Sequence, residues 1–310
     1  MRILAIVLSL LLFTVSASNM VSALTTANAN EPIDTNNKCS LTLTCAIDDQ
    51  RISGLEIKIW QIATVTTDFQ YSMAGAFSDY PIEINGIKSQ TEWDEVRDTV
   101  TAYITAEKIA SNDMQISDKN GVVMFEDLTV GIYYVCCTGN ESADKAQGFA
   151  PFVISVPELG EDGKWIYDVA AFPKPGMIPN PDTDRITLVK LWKDGNQTSK
   201  RPVKIYVDVF RNGELYKSVE LTAKTNWTYS WEIDGAYTWT AVERNVPEGY
   251  TVSIQSKDGN TIQITNTLDN DPKPPQTGDS SNMVLWIMLM ALSGIVLIVL
   301  SGRRRKVYEE

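Results

Sequence analysis

"RITLVKLWKD", Arg185 to Asp194, decides how the C-terminal half of this sequence reads. A short run of β-branched and aromatic residues favours a strand, and alternate residues of a strand share one face. Ile186, Leu188, Lys190 and Trp192 therefore point the same way, which sets an ammonium group in an apolar row. A lysine in such a row is costly unless it is paired, neutral or chemically consumed. The same alternation puts Tyr237, Trp239, Ala241 and Glu243 of "AYTWTAVERN" on one face, and Ile262, Ile264, Asn266 and Leu268 of "NTIQITNTL" on another. Any one polar intruder alone reads as a strand-edge residue or half of a plain salt bridge. Lysine, glutamate and asparagine together, each from a different strand, predict chemistry. Burial lowers a lysine pKa and raises a glutamate pKa. The neutral amine of Lys190 can then attack the Asn266 carboxamide while the Glu243 carboxyl hydrogen-bonds its oxygen and shuttles protons. The expected product is a Lys–Asn isopeptide bond, with ammonia released.

Outward from this stretch, the 310 residues suffice for two modest domains. Residues 1–29 read as a secretory signal peptide: Arg2, an apolar run from Ile3 to Val15, then small residues, with Val21-Ser22-Ala23 or Ala27-Asn28-Ala29 as the cut. Residues 283–301 are uncharged and long enough to span a bilayer, and the tail 302–310 opens with Arg303, Arg304, Arg305 and Lys306. That basic cluster stays cytoplasmic, so everything before it is expected outside the cell, membrane-inserted until processed. A net charge of −12 argues against nucleic acid as a partner. The absence of histidine removes His-based triads and His metal sites, and no metal, cofactor or turnover enzyme is expected.

Two proline-rich segments, "PKPGMIPNPDTD" and "DNDPKPPQTGDSS", break the exported part into bodies at 38–174 and 185–268, with linkers at 175–184 and 269–282. Both bodies are dominated by short strand-like runs, including "GLEIKIWQI" and "GIYYVCC" in the first and "KIYVDVFRNGELYKSVEL" in the second, where "RNGE" is a hairpin turn. The expected fold is all-β, two tandem immunoglobulin-like sandwiches. One helix, about 91–110, is inserted in the first, because Trp93, Val96, Val100 and Ile104 make a helical stripe.

"VKLWKDGNQTSKRP", "NWTYSW", "VERNVPEGY" and "ITNT" resemble the B-type repeat of Gram-positive collagen adhesins over essentially all of residues 185–268. The resemblance implies an autocatalytic crosslink between Lys190 and Asn266, with Glu243 assisting. "PPQTGD" is similar to the sortase signal Leu-Pro-x-Thr-Gly: Pro275, Gln276, Thr277 and Gly278 match, and Pro274 stands where Leu is usual. A sortase would cut between Thr277 and Gly278. "WIYDVAAFPKP" resembles the pilin motif Trp-x-x-x-Val-x-Val-Tyr-Pro-Lys through Trp165, Val169, Pro173 and Lys174, with Ala171 and Phe172 as departures. Lys174 is then the acceptor amine. "YTWTAVERNVPEGY" is similar to the pilin E box, led by Glu243. Together these imply a wall-anchored structural subunit of a sortase-assembled pilus, with sortase, peptidoglycan and other pilin subunits as partners and a host extracellular-matrix ligand as a further one. The competing reading is a monomeric wall-anchored adhesin displaying its first domain as a ligand-binding head.

All four cysteines, Cys39, Cys45, Cys136 and Cys137, fall in the first body. In "SLTLTC", Cys45 stands where a crosslinking lysine is otherwise expected, so no isopeptide bond is predicted there. Export permits disulfides. Cys39 and Cys45 are about 20 Å apart at strand rise, too far to bridge. Cys136 and Cys137 point to opposite faces. Bonds should run between the two strands, one rather than two, with connectivity open.

Overall fold

The computed structural model describes residues 31–138, 148–176, 185–235 and 237–268. The signal peptide, the sorting signal Pro274–Gly278, the apolar span and the basic tail lie outside the described residues. Among those described, no helix is long and apolar enough to cross a membrane.

The chain is mostly β-sheet. In the first body the strands are β1 (Cys39–Thr44), β2 (Glu56–Val65) and β3 (Tyr71–Met73), then helix α1 (Gln90–Glu107). They continue as β4 (Asp113–Ile116), β5 (Val122–Leu128), β6 (Gly131–Thr138), β7 (Phe152–Val156) and β8 (Asp168–Ala171). One sheet is ordered β8-β1-β5; the other is β7-β6-β2-β3, with β4 also on β2. Strand alternation sends Leu41, Leu43, Ile57, Ile59, Phe125, Val135 and Val169 into the core between them. The opposite face of the second sheet carries Trp60, Ile62, Ile132 and Tyr134, and these belong to the apolar cluster that includes α1.

Helix α1 begins with a capping box, Ser89 Oγ accepting from Glu92 N at 3.3 Å and Glu92 Oε2 from Ser89 N at 2.9 Å. It ends at Lys108 in the left-handed conformation, φ 52°. Trp93, Val96 and Val100 are buried as the stripe requires, and Ile104 is only half-buried. Thr99, Ala102 and Tyr103 are buried too. The helix is covered on more than one side because it lies between the first body's sheet and the second body.

The second body comprises β9 (Arg185–Lys193), β10 (Lys204–Arg211), β11 (Glu214–Thr222), β12 (Thr228–Glu232), β13 (Trp239–Glu243), β14 (Tyr250–Lys257) and β15 (Thr261–Leu268). Its sheets are β12-β9-β15-β14 and β11-β10-β13. Asn212 (φ 50°) and Gly213 (φ 83°) close the β10–β11 hairpin with both central residues at positive φ, the backbone an Asn-Gly turn supplies most cheaply. The first and last strands, β9 and β15, pair in parallel, Leu188 opposite Ile262 and Trp192 opposite Asn266.

The two bodies are not held apart by the proline-rich segment. Pro175–Gly176 pairs with Gly148–Phe149 as a short strand. Strand β14, at the edge of its sheet, is met by the first body: Val252 N donates to Pro81 O (2.8 Å), Ile254 N to Thr99 Oγ1 (2.8 Å) and Ser256 N to Asp98 Oδ2 (3.0 Å).

Candidate functional site: a buried lysine, glutamate and asparagine

Within β9, Ile186, Leu188 and Lys190 are buried as alternation requires, and Trp192 is half-buried at the end of the row. The structure brings the three polar intruders together. Lys190 and Asn266 sit on neighbouring parallel strands, and Glu243 reaches in from β13 of the facing sheet. Lys190 Nζ is 3.7 Å from Glu243 Oε2, with both side chains fully buried. Asn266 Nδ2 donates to Glu243 Oε1 at 3.1 Å. The ammonium also donates to Leu191 O at 2.9 Å and lies 4.0 Å from the centre of the Trp192 ring.

The arrangement is under-satisfied. Glu243 Oε2 and Asn266 Oδ1 are buried without hydrogen-bond partners, which an inert core avoids. Burial pulls the Lys190 pKa down to about 7, against the Glu243 charge, which favours the ammonium. Burial likewise pushes the Glu243 carboxyl up, opposed by Lys190. Both shifts favour the neutral pair. A half-turn of the Asn266 carboxamide would present Oδ1 to a protonated Glu243 and leave the amide carbon open to Lys190 Nζ.

Sequence reading missed a neighbouring clamp. Asp194, the last residue of the opening stretch, is buried and takes Arg201 Nε at 2.6 Å and a second guanidinium nitrogen at 2.7 Å. Tyr250 OH donates to it at 3.3 Å and Asn196 N at 3.1 Å. The Arg201 hydrogen bonds hold its carboxyl below the usual range. Trp192 packs edge-on against Trp227 and Tyr250, both ring pairs 5.3 Å apart, closing this end of the core over Lys190. Alternation shows faces, and could not show that Asp194, past the strand end, turns back to meet Arg201.

Lys174 is exposed, between buried Pro173 and exposed Pro175, and its carbonyl accepts from Ala150 N at 3.2 Å. Its carbonyl and the Pro175–Gly176 pair after it tie down the backbone, while its side chain is exposed.

The four cysteines stand as thiols in the structure. Cys45 and Cys137, from the two strand regions expected to be linked, meet as a hydrogen-bonded pair. Their hydrogen bond lowers the Cys45 pKa and raises that of Cys137, which burial raises further. Cys136 packs on the opposite, α1-facing side of the sheet. Cys39 opens β1, where burial pushes its thiol up to about 11.

Residues 186–267, a span that includes Lys190, Glu243 and Asn266, match the family described as the Cna protein B-type domain. Collagen adhesin of Staphylococcus aureus is 36% identical over 88 residues, covering 28% of this chain and 7% of that protein. Among solved structures, a single B repeat unit of the collagen binding surface protein of Staphylococcus aureus overlays with a TM-score of 0.26 at 15% identity, covering 74% of this chain and 97% of that one. The full-length major pilin SpaD from Corynebacterium diphtheriae gives 0.30 at 14% identity, over 76% and 99%.

Proposed function

We propose that the chain is a structural subunit of a sortase-assembled surface fibre of a Gram-positive bacterium, without catalytic turnover. The observation that carries this is the buried cluster joining the first and last strands of the second body. Lys190 Nζ attacks the Asn266 amide carbon, the new C–N bond forms as the old one breaks, and ammonia leaves with a proton relayed by Glu243. A body stapled between its end strands suits a load-bearing stalk. The adhesin relative is similar over 88 residues of this chain, which supports a surface role and leaves the ligand unassigned. Helix α1 turns Thr99 and Tyr103 toward the second body, so part of its surface is spent on that contact rather than on display.

Polymerisation is the part of this reading that Lys174 tests. Sortase would break the Thr277–Gly278 bond and join the Thr277 carbonyl to Lys174 Nζ of another copy. Lys174→Ala in the native host should abolish the ladder of detergent-resistant polymers on cell-wall gels. Polymer persisting at wild-type levels would remove Lys174 as the acceptor.

The first body has its own staple in this proposal. The Cys45 and Cys137 thiols are oxidised to one inter-sheet disulfide, and the disulfide of an exported thiol–disulfide oxidoreductase is reduced to two thiols in exchange. Protein from the wall should show two thiols to alkylation under denaturing conditions and four after reduction. Four before reduction would contradict the bond.

A further inference from the structure

Strands β13 and β14 are the edges of the two facing sheets of the second body, and the seam between them is where Glu243 enters the core. Helix α1 of the first body lies on that seam. Thr99, 0% exposed, accepts from Ile254 N of β14, while Tyr103 shares an apolar cluster with Ala241 and Val242 of β13. Tyr103 is itself held by stacking on Tyr80, ring centres 4.0 Å apart. Next to it a cleft of about 710 Å³ runs between α1 and the β13–β14 connection, and Tyr103 and Glu243 both line it. The tyrosine ring is thus placed where loss of its bulk would extend the cleft toward the carboxyl.

We infer that α1 is a working part of the crosslinking site: by closing the β13–β14 seam, with Tyr103 beside Glu243, it keeps water from the reacting groups. This rests on reading Lys190, Glu243 and Asn266 as a crosslink. Tyr103 does not react; it is a positioning residue that acts through Glu243. The physical reason is a tautomer balance. With one proton shared between them, the pair is either ammonium with carboxylate, which cannot react, or amine with carboxylic acid, which can. Water stabilises the charged tautomer, and a dry site favours the neutral one. The groups that bear on this balance are Glu243 from β13, Asp194 and Arg201 near Lys190, and Tyr103 from α1.

The test uses the full exported chain made by cell-free translation, with ammonia loss followed by intact mass across a pH series. Wild type should give a bell-shaped rate profile, falling at low pH as the pair gains a second proton and at high pH as it loses its last. Tyr103→Ala, and Thr99→Lys, which forces a charge into the helix–β14 contact, should lower the plateau by about tenfold or more, as expected from loss of one pKa unit of bias. Both limbs should also move outward, because a wetter pair holds its single proton over a wider range. A structural defect alone would lower the yield without widening the bell. If Thr99→Lys does not fold, Tyr103→Ala decides. Tyr103→Ala reacting at the wild-type rate with unmoved limbs would overturn the inference. A wild-type chain that never loses ammonia would instead overturn the crosslink reading.

Discussion

The mature chain is expected to weigh one ammonia less than its sequence requires, and Glu243→Ala should restore the full mass. The same comparison should reveal a large loss of stability. A Lys190–Asn266 link closes nearly the whole second body into one loop, and loop-closure entropy for such a loop is on the order of 4 kcal/mol. The cleaner variant for this measurement is Lys190→Met, which keeps the apolar stem volume and leaves no buried ammonium behind. Its thermal midpoint should fall by roughly 15–30 °C for a body of this size. A wild-type chain of unmodified mass, or a Lys190→Met chain that melts with wild type, would sink this account.

The second large effect should come from the clamp beside the site. Asp194 is buried and takes two guanidinium bonds, so Arg201→Ala leaves a carboxylate with Tyr250 and Asn196 but no counter-charge. Breaking one side of such a pair costs about 3 kcal/mol. The sign of the pH dependence follows from the depressed Asp194 pKa. Its contribution is fully present above the unfolded carboxyl value, near 4, and is lost as pH falls through the lower folded value. In Arg201→Ala the folded pKa should rise, which removes that contribution. Urea midpoints between about pH 3 and 7 check this: the gap between wild type and variant should be widest near neutral pH and narrow as pH falls, because only wild type loses the Asp194 contribution in acid. Coincident curves across the range would show that the pair contributes nothing. The measurement belongs on Lys190→Met or Glu243→Ala backgrounds as well, because a covalent staple masks unfolding of the strands it joins.

What could be read from the sequence divides along a physical line. Alternation in β9, β13 and β15 is enough to put Lys190, Glu243 and Asn266 on inward faces, because a period of two is a local property of the chain. The hairpin at Asn212-Gly213 was legible for the same reason, since positive φ at both positions is a local demand. The helix was legible as an element and misread in its surroundings. A single stripe through Trp93, Val96, Val100 and Ile104 implies one buried face, whereas Thr99 and Tyr103 are buried by a body beginning more than eighty residues later. Nothing near Thr99 in sequence says that its hydroxyl will meet Ile254. The cysteine pattern pointed to a bond from strand to strand, and the structure brings Cys45 and Cys137 together as thiols.

The three β14 amides at Val252, Ile254 and Ser256 have a consequence for biogenesis. A chain is made from its N-terminus, and the earlier body is generally the first to fold. If the first body folds first, Pro81, Asp98 and Thr99 stand in place as acceptors by the time residues 250–257 follow. An exposed sheet edge is a template for pairing with other chains. The order of the two bodies along the chain means that this edge meets its own helix before it meets a neighbour. Reversing them, with the strand-bearing body first, would leave β14 waiting uncovered.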